Sequence, residues 1–203
     1  MEAPAKPYNQ TLGLLRVVST FLLVAGLIVV SRPTPLSVSS GFLFVVAGQA
    51  VRLWAAGHLR KTVELITSGP YRYTRNPLYL GRLLIFTGLC LMARMPYGVN
   101  LVVLALGWIV FFGYYLRRKE RVEPARLLQF HGEVYERYFR AVPPLFPTLR
   151  PYPEGAASGW SSERMLRNRE HWMVIGLLAI SLLLLWIAYA RPAGLLAGWL
   201  SDW

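Results

Sequence analysis

The sequence predicts an all-α integral membrane protein with about five transmembrane helices and a cytoplasmic helical segment after the fourth. Three observations predict it. The chain has 203 residues, of which 55% are hydrophobic and only 16% charged, and its mean hydropathy of +0.39 is too high for a soluble domain of this size. Five stretches approach the roughly 20 apolar residues that cross a hydrocarbon layer of about 30 Å. The basic residues gather on one side of the topology that those stretches define.

The expected spans are Leu12–Ser31, Val38–Gly57, Leu78–Met95, Gly98–Leu116 and Trp172–Ala190. The first is too long for a signal-peptide core and lacks a small-residue cleavage pattern, so it is expected to stay on the protein. "SRPTPLS" joins the first two spans. "ARMPYG" joins the third and fourth, and is short enough to demand an antiparallel hairpin. The chain reads as a single membrane domain, with two N-terminal spans in 1–57, a core in 58–150, and a connector with an extra span in 151–203. No internal repeat or low-complexity tract is visible.

A net charge of +12 raises the question of nucleic acid, but its distribution answers it. Lys6, Arg60, Lys61, Arg72, Arg75 and the basic residues from Arg117 to Arg169 fall on one face, whereas Arg32, Arg94 and Arg191 fall on the other. This is the positive-inside pattern, which places the N-terminus inside and the C-terminus outside a bacterial-type inner membrane. Arg16, Arg52 and Arg82 lie in spans near cytoplasmic ends and are expected to snorkel. Cys90 is the single cysteine and lies within the third span, which excludes a disulfide framework and a cysteine-based metal site. The expected partners are the bilayer and a lipid-like molecule, with no nucleic acid and no metal.

The segment after span four opens "LRRKERVEPARLLQFHGEVYERYFRAVPPLFP". Leu127, Leu128, Phe130, Val134, Tyr135, Tyr138 and Val142 recur at helical spacing, and Pro124 is expected at the first position of a new helix. Five prolines between Pro143 and Pro153 must leave the helix as an extended strap. Ser162 with Glu163 is the candidate cap of a short basic lead-in to the last span.

The loop before span three, "ITSGPYRYTRNPLYLG", carries more than a turn requires. The hairpin of spans three and four returns it to the same membrane face as "KERVEP". Non-helical backbone at that depth needs protein or a wet cavity to satisfy it. The breaks at Pro70 and Pro77, with Gly69 and Gly81, therefore suggest a loop folded over a pocket open to both cytosol and lipid. Simpler readings exist for each residue: Tyr71, Tyr73 and Tyr79 suit an interfacial aromatic belt, Arg72 and Arg75 suit orientation charges, Gly81 suits close helix packing, and Tyr135 and Tyr138 suit packing of the C-terminal helix.

Gly69, Tyr71, Arg75, Asn76, Pro77, Tyr79 and Gly81 match G-x-Y-x-x-x-R-[HN]-P-x-Y-x-G. Glu123, Leu127, Phe130, Gly132, Tyr135, Tyr138, Val142 and Pro147 follow a second block. Together, over about residues 50 to 147, they resemble the isoprenylcysteine carboxyl methyltransferases, integral-membrane enzymes that use S-adenosylmethionine and share this signature with phospholipid N-methyltransferases. The resemblance implies cofactor contacts at Val63, Glu64, Leu65, Ile66, Tyr71, Asn76, Pro77, Leu78, Tyr79 and Glu123. It implies Lys119, with Arg118 beside it, as the cation that meets an anionic group of the substrate, and Arg75, Lys119 and Glu123 as catalytic residues in a cytoplasmic helical catalytic segment. Asn76 stands where eukaryotic members have histidine, and Pro124 where a second glutamate would stand.

Methyl transfer from a sulfonium needs alignment and desolvation more than covalent participation. Glu123 suits ribose hydroxyls or an ammonium, and the faces of Tyr71 and Tyr79 suit adenine or the sulfonium. The expected activity is methyl transfer to a lipid-like or prenylated acceptor at the cytoplasmic face, with phosphatidylethanolamine N-methylation as the alternative. Other classes are an NADPH-dependent sterol-type reductase and a non-enzymatic scaffold. No G-x-G-x-x-G follows a strand pattern, which argues against a soluble dinucleotide-type fold.

Overall fold

The computed structural model describes residues 26, 28–60, 65–156 and 158–190, without the side chains of Glu123, Ala125 and Arg126. Among the described residues all regular structure is helical. Three helices are long and apolar enough to cross a membrane, Pro35–His58, Pro96–Val122 and Glu170–Ala190, while Pro77–Ala93 is apolar but shorter. The first expected span, Leu12–Ser31, lies almost wholly outside the described residues.

Helix α1, Pro35–His58, starts where the sequence dictates. Thr34 and Ser37 form a reciprocal capping box, Ser37 N–H donating to Thr34 Oγ1 at 3.2 Å and Thr34 N–H to Ser37 Oγ at 2.9 Å, with Pro35 at the first helical position. Helix α2, Pro77–Ala93, again opens on a proline. The two helices touch backbone to backbone at two glycine pairs. A Cβ added to Gly48 would lie 2.6 Å from the Gly81 carbonyl oxygen, and one on Gly41 would lie 2.4 Å from that of Gly88. Gly81 therefore does serve close packing. Val38, Val45, Ile85, Met92, Leu177, Leu184 and Ala188 fill the core between α1, α2 and the last helix, α6 (Glu170–Ala190).

Helix α3, Val99–Val110, turns back along α2 and is pinned to it by Asn100, which donates to the Cys90 carbonyl at 3.1 Å, and by Trp108 Nε1, which donates to Thr87 Oγ1 at 3.1 Å. It runs through a wide, π-helical turn at Phe111–Leu116 into α4, Arg117–Ala141. Pro124 does not begin a helix, as the sequence suggested. It sits inside α4, and the break comes at Gly132, with φ 50° and ψ −130°. The proline deprives the ladder of one N–H, the partner of the Glu120 carbonyl, and the helix continues past it. Gly132 adopts a backbone conformation that is nearly closed to other residues.

The strap after α4 is stitched to the loop before α2. Arg75 N–H donates to the Pro143 carbonyl at 2.9 Å, Thr148 N–H to that of Tyr73 at 3.0 Å, and Tyr152 N–H to that of Arg72 at 2.9 Å. Thr74 Oγ1 donates to the Leu145 carbonyl at 2.9 Å. The cap of α5, Ser162–Arg167, is Ser161, whose hydroxyl accepts from Arg164 N–H, rather than Ser162 with Glu163. Arg52 does not snorkel. It is 5% exposed, and its guanidinium faces Glu170, at the first position of α6, and the Leu78 carbonyl. Gly81 leaves room for its stem, since a Cβ there would lie 2.4 Å from Arg52 Cγ.

Candidate active site at the starts of α2 and α4

The loop into α2 takes its shape from a short 3-10 turn, Gly69–Arg72. Gly69 has φ 56°, and a Cβ there would meet the His58 ring at 2.4 Å, so both conformation and space require glycine. His58 is buried, and its Nδ1 lies 3.1 Å from Ser68 Oγ. It holds the loop and is not among the residues that line the cleft described next.

A cleft of about 160 Å³ opens beneath this loop. Leu59, Leu65, Ile66, Tyr71, Pro124, Leu127, Tyr135 and Tyr138 supply its apolar and aromatic walls, and Arg60, Arg75, Asn76 and Glu120 its charged and polar ones. The two sequence blocks thus contribute to one cavity. Tyr138 is both wall and brace: its hydroxyl donates to the Tyr71 carbonyl at 2.8 Å, and its ring meets Tyr152 edge-on at 5.5 Å. Burial and the neighbouring Glu154 carboxylate push the Tyr152 phenol above its ordinary pKa, so it remains neutral at physiological pH.

At the cleft's polar end two motif positions, Arg75 and Asn76, meet a third residue, Glu120. Arg75 Nη2 donates to Glu120 Oε2 at 2.5 Å and Asn76 Nδ2 to Glu120 Oε1 at 2.9 Å. Asn76 Nδ2 also donates to the Pro144 carbonyl at 2.7 Å, which fixes the orientation of its amide. Arg75 Nη1 donates to the Phe139 carbonyl at 3.0 Å, and the guanidinium lies 3.6 Å from the centroid of the Phe139 ring. Asn76 Oδ1 and Arg75 Nε are buried without a hydrogen-bond partner. Such atoms are costly unless something else satisfies them.

Of the expected site residues, the structure brings Leu65, Ile66, Tyr71, Arg75 and Asn76 to this cleft. Val63 and Glu64, and the side chain of Glu123, lie outside the described residues. Pro77 faces a separate apolar cleft with Val51, Trp54, Pro70, Tyr73, Thr74, Leu80 and Pro147. Leu78 offers its carbonyl to Arg52. Tyr79 points away towards Phe111, with Arg82 and Lys119 at 5.5 and 4.5 Å from its ring centroid. Arg118 is exposed and donates to Tyr114 Oη at 2.7 Å. Glu120 was not singled out from the sequence. Its one available signal was its place a single helical turn before Glu123.

Residues 36–121, from α1 to the first turn of α4, match the family described as phospholipid methyltransferase. That segment is similar to this family. Proteins of that family use S-adenosylmethionine. Among curated proteins the chain is 34% identical over 148 residues to the cobalt-zinc-cadmium resistance protein CzcN of Cupriavidus metallidurans, covering 70% of this chain. It is 30% identical over 146 residues to the nickel-cobalt-cadmium resistance protein NccN of Alcaligenes xylosoxydans xylosoxydans, covering 68% of this chain. Each match spans 65% of the relative's own length. No solved structure matches the chain. Arg75, Asn76 and Glu120 all fall within the phospholipid methyltransferase segment, whereas Leu127, Tyr135 and Tyr138 follow it.

Proposed function

We propose that the protein is an S-adenosylmethionine-dependent methyltransferase acting at the cytoplasmic face of the membrane on a lipid-like or prenylated acceptor. The observation that carries this reading is the convergence of Tyr71, Arg75 and Asn76 with Glu120, Leu127, Tyr135 and Tyr138 around one cleft. The cofactor fits the donor set there. Aromatic and aliphatic walls suit an adenine ring, Glu120 is a carboxylate with part of its edge exposed, and Asn76 Oδ1 and Arg75 Nε are polar atoms without partners. The cofactor supplies an electrophilic methyl group on a sulfonium. Tyr71 and Tyr135 would flank it, and Leu65, Ile66 and Leu127 would exclude water, which strengthens the electrostatics inside. Arg75 and Asn76 would hold Glu120 in place.

On the lipid side, Lys119 and Arg82 around the Tyr79 ring offer positive charge to an acceptor headgroup, with Arg118 and Tyr114 adjoining. A carboxylate acceptor arrives deprotonated and needs no base. The described residues place no histidine in the cleft, which favours such an acceptor over an amine that must lose a proton. The relatives' names connect them with metal resistance. Among the described residues no group of three or more His, Cys, Asp or Glu could hold a metal ion.

The test is titration of the detergent-purified protein with S-adenosylmethionine, S-adenosylhomocysteine and NADPH, followed by incubation of membranes with methyl-labelled cofactor and identification of the labelled species. Saturable binding of the first two and a labelled lipid or prenylated product are expected. Binding of NADPH alone would replace this reading with a reductase.

A further inference from the structure

We propose that Glu120 recognises a vicinal diol of the ribose type, making it the residue that selects a nucleoside-bearing ligand in this cleft. The inference rests on the reading of the cleft as the methyl donor's site and assigns a role to a side chain that neither sequence block contains.

Glu120 is the one carboxylate among the described side chains that line the cleft. An ionised carboxylate offers about four lone-pair sites. Two are taken, one on each oxygen, by Arg75 and Asn76. The side chain is 23% exposed and lines the cleft, and its two remaining lone-pair sites are not taken by either donor. Neither donor can easily be recruited elsewhere. Arg75 is anchored to the Phe139 carbonyl and ring, and Asn76 to the Pro144 carbonyl. The carboxylate is thus held in position before any ligand arrives, which lowers the ordering cost of binding.

The charge balance decides what such an edge prefers. Arg75 already neutralises Glu120 at 2.5 Å, so an incoming ammonium meets a pair with no net charge and gains little long-range attraction. A neutral ligand with two adjacent hydroxyls is the better match. Each O–H donates to one carboxylate oxygen and makes a charge-assisted hydrogen bond without carrying a buried charge of its own. The cis-diol of a ribofuranose presents two such donors on neighbouring carbons. The aromatic walls at Tyr71 and Tyr135 would then take the base.

The experiment is a binding cycle on the full-length protein in detergent, using S-adenosylhomocysteine and its 2′,3′-dideoxy analogue with wild type and Glu120→Gln. In the wild type, loss of both hydroxyls should weaken binding about ten- to a hundredfold, the size of a hydrogen bond to a charged group. In Glu120→Gln, S-adenosylhomocysteine should weaken by a similar factor, and the ratio between the two ligands should fall towards about one. A merely structural Glu120 would weaken both ligands alike and leave the ratio unchanged, and that result overturns the proposal. Glu120→Gln binding S-adenosylhomocysteine as tightly as wild type overturns it as well, while leaving the methyltransferase reading intact. Failure of wild type to bind S-adenosylhomocysteine at all sinks both. Thermal unfolding of each variant in parallel identifies misfolded protein, and Glu120→Asp, which keeps the carboxylate, should retain a ligand ratio above that of the glutamine variant.

Discussion

Arg52 and Glu170 meet through two parallel contacts, Nε to Oε2 at 3.1 Å and Nη2 to Oε1 at 2.5 Å, although 118 residues separate them in sequence. Both side chains are only 6% exposed. The fork-to-carboxylate geometry joins α6 to α1, and the third contact, Arg52 Nη1 to the Leu78 carbonyl at 3.3 Å, extends the joint to the first turn of α2. Removing one partner of a buried pair leaves an uncompensated charge and costs about 3–5 kcal/mol. Glu170→Ala should therefore lower the thermal unfolding midpoint in detergent far more than removal of the exposed partner in the Arg167–Glu163 pair. Equal shifts for the two would show that the Arg52 charge is solvated after all.

The contact between α1 and α2 predicts a steric asymmetry among glycines. Gly48→Ala and Gly81→Ala each place a methyl against the opposite backbone and should destabilise by about 1–3 kcal/mol or more, the range for overpacking. Gly176 in α6 has nothing within 4 Å of an added Cβ. Gly176→Ala should be neutral or stabilising by up to about 1 kcal/mol through helix propensity. Thermal midpoints of the three variants check the order.

Gly132 offers a cleaner case, because no atom lies within 4 Å of an added Cβ and its φ is 50°. Any effect of Gly132→Ala is backbone strain, about 1–3 kcal/mol. Tyr135 and Tyr138 follow the break, so the same variant should loosen the cleft wall and weaken S-adenosylhomocysteine binding beyond its effect on the midpoint. An unchanged midpoint would mean that the kink is not needed.

Asn76 spends one amide nitrogen on two acceptors, the Glu120 carboxylate and the Pro144 carbonyl. Asn76→Asp turns that donor into a third acceptor and sets a carboxylate against a carboxylate. The loss should exceed that of Asn76→Ala, by about 1.5–3 kcal/mol for the charged hydrogen bond alone. Like charges raise the pKa of one member of such a pair. The Asp variant should therefore recover part of its stability as the pH falls towards about 5, whereas the Ala variant should not. Melting curves at both pH values separate the two.

The helical class and the long apolar segments α1, Pro96–Val122 and α6 were legible from hydropathy, and the glycine at position 81 from its place in an apolar helix. So was the meeting of the two blocks, because "ARMPYG" allows only a tight return. The burial of Arg52 was hidden, since its partner lies in a distant segment and no local pattern points to it. Pro124 misled because a proline near a helix start and a proline within a helix look alike in sequence. Glu120 was missed because the resemblance assigns the cation and the acid of this helix to Lys119 and Glu123, and regular helical phase does not point to the residue between them. Counting eleven residues, three regular turns, from Trp108, which faces α2 through Thr87, lands on Lys119. The π-helical turn at Phe111–Leu116 takes up an additional residue, so the position facing Asn76 falls to Glu120.

That wide turn makes the sign of charge at the cavity a matter of winding. If the six residues from Phe111 to Leu116 tightened to an ordinary α-helix at constant length, everything below them would rotate by about 100° relative to the upper half. A lysine would then stand where an acid stands now. The electrostatic character of the chamber is therefore set by how tightly one stretch of aromatic residues is coiled, as much as by which residues face it.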